Sequence, residues 1–350
     1  MFAPRLRIRQ LVKERLALLF DRFTLALIAT VIVASVLPCR GETATLFGYI
    51  TMLAIALLFF MHGAKLSREA VIAGLTHWRL HLLVFLCTFG LFPLLGLALQ
   101  PLANVMVGPQ LTLGLLFLCA LPATVQSSIA FTSIARGNVP AAVCSASFSS
   151  LVGIVLTPLL VGLLIHAQAG TSAPGHAVRD ITLQLFVPFV AGQLARGWIG
   201  GFIERHRSVL GLVDRGSILL VVYTAFSAAV VEGLWQRVSA ASLAGLLLLC
   251  TLLLALALFA TYEFGKRLGF SREDRITILF CGSKKSLASG VPMANVLFAS
   301  SAVGTIVLPL MLFHQIQLMV CAVIAQRYAR QAAAAIAADL SLVEEEDTAD

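Results

Sequence analysis

The sequence predicts an all-α polytopic membrane protein: ten transmembrane helices in two inverted five-helix repeats, with helices 4 and 9 broken and crossing. Three observations predict it. Of 350 residues, 59% are hydrophobic and 12% charged, against about 25% charged in a soluble domain. Apolar runs of about 20 residues follow one another, each long enough for a hydrocarbon core roughly 30 Å thick. Two polar interruptions, LPATVQSS at 121–128 and CGSKKSLASG at 281–290, fall at the fourth position of each five-span set.

The elements follow in order. Residues 1–21 mix Arg5, Arg7, Arg9, Lys13 and Arg15 with Leu6, Ile8, Leu11, Val12, Leu16 and Leu19. That is the pattern of a basic amphipathic helix on the cytoplasmic membrane surface. The apolar run Phe23–Pro38 follows basic residues, as a secretory signal does, but no A-x-A-like site comes after it. It is read as a retained first span. Ten spans are expected, at 22–39, 46–64, 80–99, 110–135, 138–165, 179–200, 215–234, 241–263, 275–298 and 302–326. The first repeat covers 22–165 and the second 179–326. Residues 331–350 are read as an acidic cytoplasmic tail, whose end VEEEDTAD at 343–350 is expected to be disordered.

Charge sets the orientation. With the N-terminus in the cytoplasm, 20 lysines and arginines fall on the inner side and three (Arg40, Arg179 and Arg237) on the outer side. This is a positive-inside distribution. It places a multi-pass protein in the cell (inner) membrane with both termini cytoplasmic. Because five is odd, the second set of spans begins on the opposite side and runs inverted. Spans 5 and 10 also correspond through IVLTPLL at 154–160 and IVLPLML at 306–312.

The same numbers exclude other classes. The net charge of +8 lies between spans rather than on one patch, so no nucleic-acid partner is expected. Seven cysteines occur without C-x-x-C or Cys/His ligand spacing and are read as apolar thiols. There is no HExxH, GxSxG or Walker A run and no pair of aspartates inside the spans. The chain is therefore not expected to be an enzyme, and these motifs call for no cofactor.

A broken helix in a membrane frees backbone groups that lipid cannot satisfy. Half-helix N-termini attract anions, and half-helix C-termini and unwound carbonyls attract cations. Where spans 4 and 9 unwind and cross, Thr124, Gln126, Ser127, Ser128, Ser283, Ser286 and Ser289 supply hydroxyl and amide groups near the midplane. Helix–helix hydrogen bonding without a ligand is the plainer use of such groups. Lys284 lies nine residues from Arg275, about 14 Å along a helix, and Lys285 is one step deeper. Charge at that depth costs at least about 2.5–3.5 kcal/mol and faces the bundle interior or water. Two adjacent residues both face inward only beside a wide cavity or an unwound turn. Either one lysine pairs with a carbonyl at the break and holds the fold, or one handles ligand or ion. AVCSASFSS at 142–150 is a small-residue face read as packing. His314 and Gln317 share a face of span 10. Thr88 in span 3 and Gln184 and Gln193 in span 6 are further candidates.

The segments LPATVQSSIAFTSIARGNVPAAVCSAS at 121–147, FCGSKKSLASGVPMANVLF at 280–298 and FHQIQLMV at 313–320 resemble the bile acid:sodium symporter family, in its SBF-like branch. The resemblance covers about residues 15–330. It implies a panel domain and a core domain, with transport of a small organic anion, driven by sodium, by alternating access. It also implies site residues. The family's sodium-binding serine of the fourth helix falls on Ser128, or on the pair Ser127 and Ser128, and its sodium-binding glutamate of the ninth falls on Ser283. Ser128 and Ser283 are thus the candidate sodium ligands. The family's third-helix glutamine falls on Thr88, a fourth-helix asparagine on Ile129, two fifth-helix hydroxyls on Ala142 and Ala146, and a ninth-helix glutamine on Leu287. A carboxylate is lost where an ammonium is gained, which points to Lys284 or Lys285 in the place of sodium. Coupling then passes to protons through a buried lysine, or transport is uncoupled. A membrane regulator that binds its ligand without moving it is the reading from another class.

Overall fold

The computed structural model describes residues 22–65, 77–169 and 175–347; the expected amphipathic segment of 1–21 lies outside them. Every regular element among the described residues is helical. In order they are α1 (Arg22–Val36), α2 (Glu42–Lys65) and α3 (Trp78–Val107), the last with a π-helical turn at Cys87–Leu91. Then come α4 (Pro109–Ala120), α5 (Gln126–Ile134), α6 (Val139–Ala169), α7 (Gly175–Arg205), α8 (Arg207–Val231) and the one-turn α9 (Leu234–Arg237). The chain continues with α10 (Ala240–Arg267), α11 (Arg272–Gly282), α12 (Leu287–Leu297) and α13 (Ser300–Asp347). Among the described residues, six helices are long and apolar enough to cross a membrane: α2, α3, α6, α8, α10 and α13, while α1 and α4 carry shorter apolar stretches.

Local chemistry sets the ends. Glu42 opens α2, and His62 and Lys65 lie in its last turn, as the helix dipole favours. Gly108, at φ 80°, turns the chain so that Pro109 starts α4, where its missing N–H costs nothing. Ser271 and Ser286 cap α11 and α12, accepting from the N–H groups of Asp274 and Ser289.

The two sequence interruptions are real breaks. Residues 121–125 separate α4 from α5, and 283–286 separate α11 from α12. A third irregularity, the π-helical turn in α3, has no counterpart in the sequence reading. It sits just before Pro93, which has no N–H for the helical ladder.

Packing depends on close backbone approach, as expected where lipid removes most of the hydrophobic drive between helices. A methyl group at Gly63 would lie 2.0 Å from the Phe189 carbonyl oxygen, and one at Gly192 would lie 1.9 Å from that of Phe60. The α2–α7 crossing therefore admits only glycine at these positions. α2 packs on α7 and α8, and α1 packs on α8. α3, α4, α10 and α13 pack together, with α5, α6 and α11 in mutual contact beside them. Phe92, Phe117, Phe226 and Phe313 are fully buried at the centre.

One expectation changes. The acidic tail expected to be disordered continues α13 to Asp347. The alanine-rich run QAAAAIAADL at 331–340 is a strong helix former and carries the helix on.

Candidate functional site

The site is best built from backbone groups that lose their partners. In α3, the Phe92 N–H bonds back to the Cys87 carbonyl, five residues away. The next residue, Pro93, has no N–H to give. The Thr88 carbonyl is therefore left without a ladder donor. At the end of α4, Pro122 again lacks an N–H, and the Ala123 N–H turns to Ser149 Oγ at 3.0 Å. That leaves the Cys119 and Leu121 carbonyls open, while the Ala120 carbonyl accepts from Thr157 Oγ1 at 2.9 Å.

Lys285 fills this gap. Its Nζ donates to the Thr88, Cys119 and Leu121 carbonyls at 2.7, 2.9 and 2.7 Å. Three donors meet three acceptors, which saturates the ammonium. The ring centroid of Phe92 lies 4.2 Å from Nζ, within cation–π range. The Lys285 backbone is held as tightly: its N–H donates to Gln317 Oε1, and Gln317 Nε2 donates to its carbonyl, both at 2.9 Å. Gln317 Nε2 also donates to His314 Nδ1 at 2.9 Å. The Ser286 N–H completes the join by donating to the Pro122 carbonyl at 2.9 Å. The two breaks thus satisfy one another.

Lys284 is held differently. Its Nζ donates to the Ser127 carbonyl at 2.9 Å and lies 4.0 Å from the ring centroid of Phe131 and 5.2 Å from that of Phe280. Both lysines are 0% exposed, and neither forms an ion pair among the described residues. The unwound turn is what lets two neighbours both face inward.

The remaining predicted residues separate into two groups. Ser128 and Ser283 are fully buried. Ser128 Oγ donates to the Phe280 carbonyl and Ser283 Oγ to the Leu279 carbonyl. Thr88 Oγ1 donates to the Val84 carbonyl, so this residue joins the lysine cage through its backbone. Thr124, Gln126, Ser286 and Ser289 instead line a cavity of about 270 Å³. Ser127 adjoins them, its Oγ 3.5 Å from Thr124 Oγ1. Gln193 is absent from the cavity wall, and its Oε1 has no hydrogen-bond partner. The side chain of Gln184 lies outside the described residues.

Sequence reasoning missed the cavity's other wall. It comes from Leu58, Phe59, His62 and Lys65 of α2, Phe189 of α7 and Asp214 of α8. Lys65 and Asp214 form an ion pair there. The small-residue face of α6, expected to serve packing, divides. Ser149 supports the α4 break and Ser145 Oγ meets His81 Nδ1 at 2.7 Å, whereas Ser147 and Ser150 line the cavity. Ser147, Ser150, Leu151 and Ile154 follow helical spacing, a signal that marks one face without saying what it faces. Among the described residues, no cluster of His, Cys, Asp and Glu is placed to hold a metal ion.

Comparison with known proteins agrees with a transport fold. Residues 21–330 match the profile of the SBF-like CPA transporter family. The chain is 68% identical over 320 residues to an uncharacterized protein of Pseudomonas aeruginosa, covering 91% of this chain and 96% of the relative. It is 56% identical over 313 residues to the "Putative symporter YfeH" of Escherichia coli, covering 89% and 94%. It is 30% identical over 280 residues to sodium/bile acid cotransporter 7 of Rattus norvegicus, covering 79% and 82%.

Proposed function

Because this chain belongs to the SBF-like CPA transporter family, a family of transporters rather than enzymes, we propose that it carries a small organic anion across the membrane by alternating access. The observation that carries the reading is the cavity at which two half-helix N-termini meet a wall built from other helices. Thr124, Val125 and Gln126 bring the start of α5 to it, and Ser286, Ala288 and Ser289 bring the start of α12. Free N–H groups and the positive ends of helix dipoles favour an anion there, and His62 and Lys65 add donors from the facing wall. Leu58, Phe59, Phe189 and Met293 give the apolar surface an organic ligand needs.

In this reading, ten crossings form two inverted five-helix sets, with α4–α5 as the fourth crossing and α11–α12 as the ninth. The chain divides as 22–165 and 179–326, with α1, α2, α7 and α8 moving as a panel against the remaining helices. The packing of α2 on α7 and of α1 and α2 on α8 supports that grouping, and α8 also meets α12 and α13 across its boundary. The lysine and arginine distribution supports cytoplasmic termini in the cell (inner) membrane. In that orientation the Lys65–Asp214 rim faces the cytoplasm.

Purified protein screened against organic anions by thermal unfolding is expected to give at least one saturable upward shift. The same anion is expected to accumulate in sealed proteoliposomes. A shift without net flux would replace transport by ligand sensing, and no shift across the screen would remove the anion site.

A further inference from the structure

We infer that the Lys285 ammonium is a built-in cation: it stands where an alkali cation would be bound, and the core closes without one. Broken helices in transporters hold sodium through unwound carbonyls and half-helix C-terminal ends, and those are the groups that surround Lys285. Thr88 contributes its carbonyl from the π-helical turn of α3, and Cys119 and Leu121 contribute theirs from the C-terminal end of α4. Thr88 lost its donor at the π-helical turn and the other two at the end of α4, yet all three converge on one nitrogen at 2.7–2.9 Å. Phe92 closes a further side of the cage with its ring face. Carbonyl oxygens and an aromatic face are the surroundings a monovalent cation takes.

The rest of the donor set does not fit a free sodium ion. The hydroxyls of Ser128 and Ser283 donate their hydrogens to backbone carbonyls and have only neutral oxygens to offer a cation. Neither interruption, at 121–128 or 281–290, contains an Asp or Glu. A sodium ion placed among these groups would also meet two buried ammonium charges in a low-dielectric interior, where like charges repel strongly. A relative of this chain is named a sodium/bile acid cotransporter. In this chain the covalently attached ammonium does the electrostatic work of a bound ion, and anion binding needs no added sodium. Only this last consequence rests on the transport reading. The cation chemistry stands apart from it.

The test is thermal unfolding of the full purified chain with sodium exchanged for choline at constant ionic strength, without substrate. The native chain is expected to show the same Tm in both. Lys285→Ala empties the cage, so its Tm is expected to be lower in choline and to recover by about 3 °C or more, saturably, with sodium or ammonium. Lys285→Met removes the charge and fills the space with an apolar chain, so it is expected to fall without recovery. Sodium-dependent stabilisation of the native chain would overturn the inference. So would an alanine variant that ignores both cations, or one that cannot be recovered folded even in sodium, since the emptied cage must accept the ion. Failure of the anion-carrier reading would appear separately, as native protein that responds to no anion, and would leave these outcomes intact.

Discussion

The side-chain amide of Gln317 pairs with both backbone groups of Lys285, accepting from its N–H and donating to its carbonyl at 2.9 Å each. An amide is the side chain that reproduces a peptide's donor and acceptor together, so α13 supplies the pairing that the α11–α12 break lacks. Gln317→Leu keeps most of the volume and removes both partners. Each orphaned buried group costs about 1–3 kcal/mol, so Tm is expected to fall by roughly 5 °C or more. A Tm within a degree of the native value would show that water replaces the amide.

The two lysines are expected to respond in opposite ways to loss of charge. Lys285 has all three donors placed on carbonyls, so Lys285→Met leaves three acceptors open and lowers Tm. Lys284 has a single hydrogen bond and two ring faces. A buried charge held so lightly is costly, and an apolar group of similar volume often matches or exceeds its stability. Lys284→Met is expected to hold or raise Tm measured in the same detergent. If flux falls in that variant while Tm holds, Lys284 serves transport and not folding.

How much of this was legible in the sequence depends on the range of the interaction. The break at 283–286 was readable because Gly282, Ser283 and two lysines interrupt an apolar run. The break at 121–125 was readable from Pro122 and the polar residues after it. Which lysine takes the carbonyl cage was not. That choice depends on the Thr88 carbonyl, 197 residues away, which is open only because Pro93 follows a π-helical turn. The role of Gln317 was half visible: its place beside His314 follows from helical spacing, but its hold on Lys285 is a tertiary fact. The cavity's second wall was hidden for a similar reason. Lys65 and Asp214 directly flank the expected spans 46–64 and 215–234, and nothing local says that α2 and α8 turn them toward α5 and α12.

A bulky side chain at Ser150 tests the cavity without touching the lysines. Ser150 lines it from α6, and about 270 Å³ leaves little room beside a large aromatic. Ser150→Trp is expected to abolish the anion-induced thermal shift and the flux, while the ligand-free Tm moves by only a few degrees. Ser149→Ala is the contrast. It removes the acceptor for the Ala123 N–H, and is expected to lower Tm through a buried unpaired donor while leaving a measurable anion shift.

The Lys65–Asp214 pair borders the same cavity and sets the sign of an electrostatic effect on binding. Its side chains are 31% and 15% exposed, so the pair adds little to stability, on the order of 0–1 kcal/mol. An incoming anion, however, meets a carboxylate that holds the Lys65 ammonium. Asp214→Asn removes the repulsion and frees Lys65 to face the ligand, so anion Kd is expected to fall by about two- to five-fold at low salt. Lys65→Gln leaves the carboxylate alone at the rim and is expected to raise Kd by a similar factor. Both changes shrink as ionic strength rises and the Debye length drops to about 8 Å at physiological salt. Titration calorimetry of the two variants at low and physiological salt checks this. Equal effects at both, or shifts in the same direction for both variants, would show that the pair acts through shape and not charge.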